Sequence, residues 1–395
     1  MVLKTKSTRI ESIDILRGLV MVIMALDHVR DYFYYGAFFN DPTNIETTTP
    51  LLFFTRFITH YCAPVFVFLA GTSAFLYGIK KNKQQLFKFL ITRGIWLIVL
   101  EIIVNNFIWK FDLTYSRVIL QVIWAIGVSM VTLSGLIFLS KRWLLIIGLL
   151  LVFVHNSFDT IVNNGIDFKS VIWYILHQPN IIPLTETHSV GVFYPVLPWI
   201  GIMILGYCLG TFYHKDYDPI LRKKYLFRIG ICTTFLFFLL RSINIYGDLI
   251  PWSIQDTTVK TIMSFFKVTK YPPSLSYTLI TLGPALLFLY AIESIKNKAT
   301  DFLLVFGRVP LFYYFLHVLI IHTLAMIGIM ILGGDWKSMI LTAESFKNQT
   351  LLNYGYSLLT TYLVWVGVVT LLYFPCKKYM VYKATNKDKW WLSYL

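Results

Sequence analysis

Apolar runs of about 20 residues recur along the whole chain, and few folds admit such a pattern. A helix of 20 residues rises about 30 Å, the thickness of a bilayer's hydrocarbon core. Inside lipid, every backbone N–H and C=O must find a partner within the protein, so repeated runs of this length read as transmembrane helices. Composition agrees. Of 395 residues, 57% are hydrophobic and 14% charged, where soluble domains carry roughly 25% charged residues. The expected fold is all-α and polytopic, with about ten transmembrane helices. They fall near residues 13–34, 51–79, 90–109, 118–139, 143–161, 190–212, 228–248, 274–294, 309–332 and 350–374. No linker, low-complexity segment or clear internal repeat divides the chain, so 1–395 is expected to form a single domain.

The net charge of +15 does not point to nucleic acid. The basic residues sit in short clusters between apolar runs, as topology-setting charge does. With both termini placed in the cytoplasm, the inside segments hold 22 Lys and Arg and the outside loops 8. The inside clusters run from Lys4, Lys6 and Arg9 at one terminus to Lys377, Lys378, Lys383, Lys387 and Lys389 at the other. That bias sets the orientation, and the expected location is the plasma membrane, the inner membrane of a bacterium. The cysteines Cys62, Cys208, Cys232 and Cys376 form no C-x-x-C pair, so neither a disulfide framework nor a zinc knuckle is indicated. The first run is too long for a cleaved signal peptide and lacks a small-x-small exit. Long outside segments are expected near 35–50, 162–189 and 249–273. The second contains "SVIWYILHQPNIIPL" (Ser170–Leu184), a piece suited to lie on or dip into the membrane; Pro179 and Pro183 argue against a continuous span.

Chemistry concentrates where the runs are least apolar. "SIDILRGLVMVIMALDHVRDYF" (Ser12–Phe33) carries Asp14, Arg17, Asp27, His28, Arg30 and Asp31. A charge at the bilayer centre costs at least ~2.5–3.5 kcal/mol, so ionisable groups there mark a site by default. His28 lies about 20 Å from the inner end, past the midplane. Asp14 and Arg17 stand three apart and can pair on one face; Arg17 is open either to that structural pair or to an anionic ligand. His28 is open to an interhelical hydrogen bond or to acid–base chemistry oriented by Asp27 or Asp31. Neighbours on a helix point about 100° apart, so Asp27 can equally serve another helix.

The second run, "LLFFTRFITHYCAPVFVFLAGTSAFLYG", places His60 at a similar depth, with Arg56 one turn above and Pro64 expected to kink the helix. In the ninth, "FGRVPLFYYFLHVLIIHT", Pro310 suits a helix start and Arg308 the cytoplasmic rim. His317 is the site candidate of this run. His322, five residues on, points roughly 140° away, so the two cannot readily share a metal, and no metal is expected. "YPVLPWIGIMILGYCLG" reads as a packing helix. Glu101 and Asn105 are open to pairing with Arg17 or Arg56.

"RIESIDILRGLVMVIMALDHVRDYF" resembles the start of the heparan-α-glucosaminide N-acetyltransferase catalytic-domain family and its bacterial relatives. "APVFVFLAGTSAFL", "YPVLPWIGIMILGYCLG", "KYPPSLSYTLITLGPALL" and "FGRVPLFYYFLHVLIIH" are similar to later blocks of that bacterial group, so the resemblance covers nearly the whole chain. More distantly, bacterial membrane O-acyltransferases that decorate surface sugars carry an Asp, an Arg and a His on the first helix. Their Arg-to-His interval resembles that from Arg17 to His28. The resemblance implies acetyl-CoA (acyl-CoA) as cytoplasmic co-substrate, a glycan or amino-sugar acceptor across the membrane, and passage of the acyl group through the bundle. The animal lysosomal enzyme has its proposed catalytic His in the loop after the first helix. Between Val29 and Thr59 this chain has none, so the resemblance passes the role to His28, with His60 as the alternative.

The expected function is thus a transmembrane acyltransferase, with a homodimer left open. His28 or His60 is the expected base or nucleophile, and Asp27 or Asp31 orients it. Arg17, Arg93, Arg308 and His317 are the expected donor-binding set, the arginines through charge-assisted bonds to phosphate. Asp41 and Glu46 can attract an amino-sugar cation or simply solvate their loop. The rival expectation is a proton-coupled small-molecule transporter using the same intramembrane His, Asp and Arg. Transporters commonly show two repeated halves, and no such repeat is visible here. A purely structural membrane protein is the remaining alternative.

Overall fold

Seven helical stretches are long and apolar enough to cross a membrane: Pro50–Gly78, Lys141–Phe158, Val196–Tyr213, Pro219–Ile243, Leu275–Ile292, Pro310–Ile331 and Leu358–Thr385. They belong to a computed structural model that describes residues 10–393. Lys4, Lys6 and Arg9, counted in the charge argument, lie outside the described residues. In chain order the helices are α1 (Glu11–Phe33), α2 (Pro50–Thr59), α3 (Cys62–Gly78), α4 (Lys83–Val99), α5 (Asn106–Lys110), α6 (Val122–Leu136), α7 (Lys141–Val154) and α8 (Phe168–Leu176). Then come α9 (Val196–Leu209), α10 (Pro219–Ile243), α11 (Thr258–Phe266), α12 (Leu275–Ile292), α13 (Lys298–Arg308), α14 (Pro310–Ile331), α15 (Ala343–Lys347) and α16 (Leu358–Thr385). The protein is an all-α polytopic membrane protein.

The most charged of these helices is the most enclosed. α1 packs against α2, α3, α12, α13, α14 and α16, and its Asp14, Asp27 and Arg30 are buried. Such groups survive in an apolar bundle only when paired. The approach to α13 is close enough that a Cβ on Gly18 would collide with the Leu303 carbonyl, and one on Gly307 with the Asp14 carbonyl. Small residues let the two backbones touch. At the periphery, α10 and α16 turn Phe235, Leu239, Leu363, Leu371 and Phe374 outward, as lipid-facing helices do.

Pro64 interrupts the second run as expected: it occupies the first turn of α3, and the break falls one turn before it, at His60–Tyr61, between α2 and α3. Proline cannot donate to the carbonyl four residues earlier, that of His60. The Tyr277 hydroxyl of α12 donates to it instead, at 2.8 Å. Glu101 pairs with neither Arg17 nor Arg56. It sits in a π-helical turn, Leu100–Asn105, and accepts from Asn105 Nδ2 (2.7 Å) and the Trp124 backbone N–H (3.0 Å). A carboxylate there satisfies a donor that the first turn of α6 leaves unpaired.

A small sheet was not expected. β1 (Arg117–Leu120), β2 (Asn180–Pro183) and β3 (Ser189–Val192) form it in the order β1-β3-β2. The stretch Ser170–Leu184 is not a continuous span, as Pro179 and Pro183 indicated. It forms most of α8 and then β2, and Tyr174 of α8 packs on Leu120 and Val192 of the sheet. As a consequence α6 and α9 begin after the strands, later than the apolar runs suggested. The last helix is displaced too: it covers Leu358–Thr385, not 350–374, and so draws in Lys377, Lys378 and Lys383.

Candidate active site

α1 and α14 pack side by side, and His28 of α1 meets His317 of α14. His28 Nδ1 lies 2.7 Å from His317 Nε2, with the rings 4.9 Å apart and nearly parallel. His317 Nδ1 is 2.9 Å from the Tyr313 carbonyl. That oxygen can only accept, so Nδ1 of His317 carries the proton. In a neutral imidazole Nε2 is then an acceptor, and His28 Nδ1 must donate to it. The relay leaves the lone pair of His28 on Nε2. Trp109 packs its edge against the His28 ring at 4.7 Å, and Tyr314 does so at 6.0 Å. Trp109 Nε1 donates to the Tyr314 hydroxyl (3.3 Å), and the Tyr32 hydroxyl donates to the Trp109 carbonyl (2.5 Å). Three aromatic side chains thus hold the imidazole pair in place.

The carboxylates do not orient His28. Asp27 accepts both short contacts from Arg56 Nη1 (2.6 and 2.5 Å) and one from the Thr59 hydroxyl (2.8 Å), and Arg30 lies 3.0 Å away. Asp31 pairs with Arg30 at 2.5 Å. The cause is the angle between helix neighbours: Asp27 faces α2 while His28 faces α14. His60 also stands apart from the pair. Its ring packs on Tyr277 and Phe57, and its Nδ1 meets no hydrogen-bond partner among the described residues. His322, set aside from the sequence, bridges the carbonyls of Ile108 (2.9 Å) and Met339 (2.8 Å), a structural arrangement.

Arg17, Arg93 and Arg308 do converge, on one cleft of about 360 Å³. Lys383 of α16 joins them at its rim, and Met24, Phe66, Leu97, Ile126 and Tyr314 line the apolar depth. The cleft therefore runs from a basic mouth to within one aromatic ring of His28. Arg17 is engaged there with Asp14 (2.7 Å), Ser73 Oγ (2.9 Å) and the Gly307 carbonyl (3.2 Å), fastening α1 to α3 and α13. The start of α1 and the end of α16 thus lie at the same end of the bundle. On the other side of His28 is a second pocket, of about 230 Å³, lined by Arg30, Asp31, Tyr34, Asn40, Asp41 and Thr48 among others. Glu46 is not part of it. Met24 of the cleft and Asp31 of the pocket are about 10 Å apart along α1, and His28 lies between them.

The profile of the family described as heparan-alpha-glucosaminide N-acetyltransferase, catalytic, matches residues 9–251, well over half of the chain. The chain belongs to this family. The heparan-alpha-glucosaminide N-acetyltransferase family is one of transmembrane acetyltransferases, and the matched span includes α1 with His28, α2 and the Arg93 side of the cleft. It ends before α14, so His317 and Arg308 come from outside the matched residues. Among curated proteins, no sequence matches the chain at a significant level.

Sequence reasoning missed Trp109, Tyr314, Lys383 and Lys270. Trp109 and Tyr314 look like ordinary interfacial aromatics, and Lys383 like a tail charge. Lys270 was counted with the outside loops. It lies over the Tyr194 and Tyr271 rings, near enough to Asp27 and His28 to act on both electrostatically. No signal in the chain's one dimension separates these four from their many lookalikes.

Proposed function

We propose that this family member moves an acetyl (acyl) group from cytoplasmic acyl-CoA to the amine or hydroxyl of a sugar on the far side of a bacterial inner membrane. The observation that carries the reading is the His28–His317 pair, set between a basic-mouthed apolar cleft and a smaller polar pocket. The basic end faces the cytoplasm by its charge. Arg93, Arg308 and Lys383 hold the donor's phosphates at the mouth, and the apolar depth takes its extended arm. The polar pocket, with Asp41 and the Arg30–Asp31 pair, receives the acceptor.

In the reaction, His28 Nε2 takes the proton from the acceptor N–H or O–H as that atom attacks the thioester carbonyl. The C–S bond breaks, and the CoA thiolate leaves with the proton returned by the imidazolium. His317 receives the hydrogen bond of His28 Nδ1 throughout, fixing the ring and sharing the positive charge that forms on it. A two-step route, in which Nε2 first takes the acyl group, uses the same atoms.

Purified protein in nanodiscs, given radiolabelled acetyl-CoA and a panel of amino sugars, tests this. Labelled product from the wild type and its loss in His28→Ala are expected. No transfer to any acceptor, together with substrate uptake by protein in liposomes, would overturn the enzyme reading in favour of a transporter.

A further inference from the structure

Away from the acyl-transfer site, α7 ends in a short 3₁₀ turn, His155–Phe158, and His177 caps the C-terminus of α8. These two ends meet beside Asp159. His155, Asp159 and His177 each offer a ligand atom within 4.8 Å of the other two. His155 is 1% exposed and His177 3%. Among the described residues, neither ring nitrogen of His155 has a hydrogen-bond partner, and neither does Nδ1 of His177. The Pro273 carbonyl approaches His155 without reaching hydrogen-bonding geometry. A neutral imidazole carries one donor and one acceptor, and burying both unpaired is costly unless something else occupies them.

We propose that His155, Asp159 and His177 bind one divalent transition-metal ion of the zinc class. Two imidazoles and one carboxylate are a donor set suited to zinc, with water completing four-coordination. The carboxylate is already aimed. Its Oδ1 lies 3.0 Å from His177 Nε2, and its Oδ2 accepts from Asn156 Nδ2 at 2.8 Å. Asn156 is fixed in turn, its Oδ1 accepting from the Leu275 N–H at 2.8 Å. Such outer partners are what hold metal ligands in orientation. Trp173 and Phe158 pack against the His177 ring. Ligand atoms at about 2.0–2.1 Å from a tetrahedral ion stand about 3.3 Å apart, so binding needs only small side-chain rotations. The ion would fasten α8, and with it the β1-β3-β2 sheet, to the end of α7. Its role is structural, separate from the chemistry at His28.

The test is metal binding by the full-length protein in detergent, stripped with a chelator and titrated with Zn²⁺ against a chromophoric competitor. One equivalent per chain is expected, with affinity at least tenfold weaker in His155→Ala and His177→Ala. A rise in melting temperature with Zn²⁺ is expected for the wild type and not for these variants. Asp159→Asn, nearly isosteric, guards against a folding defect and should also weaken binding. Co²⁺ bound to the wild type should give the intense visible absorption of a four-coordinate site. No saturable Zn²⁺ uptake by the wild type would overturn the proposal. So would a weak six-coordinate Co²⁺ spectrum, or unchanged stoichiometry and affinity in both histidine variants.

Discussion

One imidazole lone pair decides the proposed chemistry, and its position depends on a residue 289 positions away. Because His317 receives the Nδ1 proton of His28, the lone pair that can act as base sits on Nε2. His28→Ala should lower acetyl transfer roughly 10²–10⁴-fold, the usual worth of a general base, measured as initial rate at saturating acetyl-CoA. His317, expected in the donor-binding set, lines neither the cleft nor the pocket, so His317→Ala should lower kcat by roughly 10-fold or more while leaving KM for acetyl-CoA within about twofold. His317→Gln keeps an acceptor for His28 and should recover part of the loss. Equal loss in Ala and Gln variants would show that the hydrogen bond is not what matters. Asp27 behaves differently. Removing its carboxylate strands the Arg56 charge inside the bundle, so Asp27→Ala should cost about 3–5 kcal/mol, seen as a fall in melting temperature of purified protein.

At the level of elements, helices are joined where their backbones run out of partners. The His60 carbonyl lacks its usual donor because Pro64 has no N–H, and the Tyr277 hydroxyl supplies one. Tyr277→Phe leaves that carbonyl buried and unpaired. The expected cost is about 1–3 kcal/mol, readable by thermal melting, with acetyl transfer at low temperature nearly unchanged. Outside the spans, Asp112 organises the turn before β1. Burial pushes its carboxyl up, but hydrogen bonds from Ser116 and Thr114 outweigh that and hold it below its usual value. A depressed carboxylate contributes stability above the ordinary carboxylate range and loses it as the pH falls through the lowered value. Hydrogen-exchange protection at Thr114 and Ser116, taken relative to the intrinsic rate at each pH, should therefore fall on acidification below the carboxylate range. Asp112→Asn should exchange fast at neutral pH already and lose the pH dependence.

For the whole molecule, the cleft makes a prediction that no single contact does. Ile126 lies in its depth, and the variant Ile126→Trp should obstruct the donor's arm without touching His28. KM for acetyl-CoA should rise about tenfold or more, each tenfold being about 1.4 kcal/mol, while the melting temperature stays within a few degrees. Charge reversal at the mouth, Arg93→Glu with Lys383→Glu, should raise KM and reduce its sensitivity to salt, because screened attraction to phosphate would be gone. Loss of activity with unchanged KM in both experiments would place the donor elsewhere.

The class of fold was legible from periodicity alone, because lipid admits no backbone that cannot pair with itself. So was the pairing demanded of α1: charge in an apolar run is too costly to be left alone, and its Asp14, Arg17, Asp27, Arg30 and Asp31 are all ion-paired. His28 and the arginines stood out for that reason, and the Asp14–Arg17 pair followed from its spacing of three. What the chain's order could not determine was which side chain each group faces. Asp27 adjoins His28 in sequence yet serves Arg56, and His317, far along the chain, completes the relay. The small sheet and the late start of α6 and α9 were hidden because apolar strands and apolar helix ends look alike over four residues. Composition and period act locally and are written into the sequence. The rotation of each helix about its axis is set only by packing against its neighbours, and that rotation is what assembled the site.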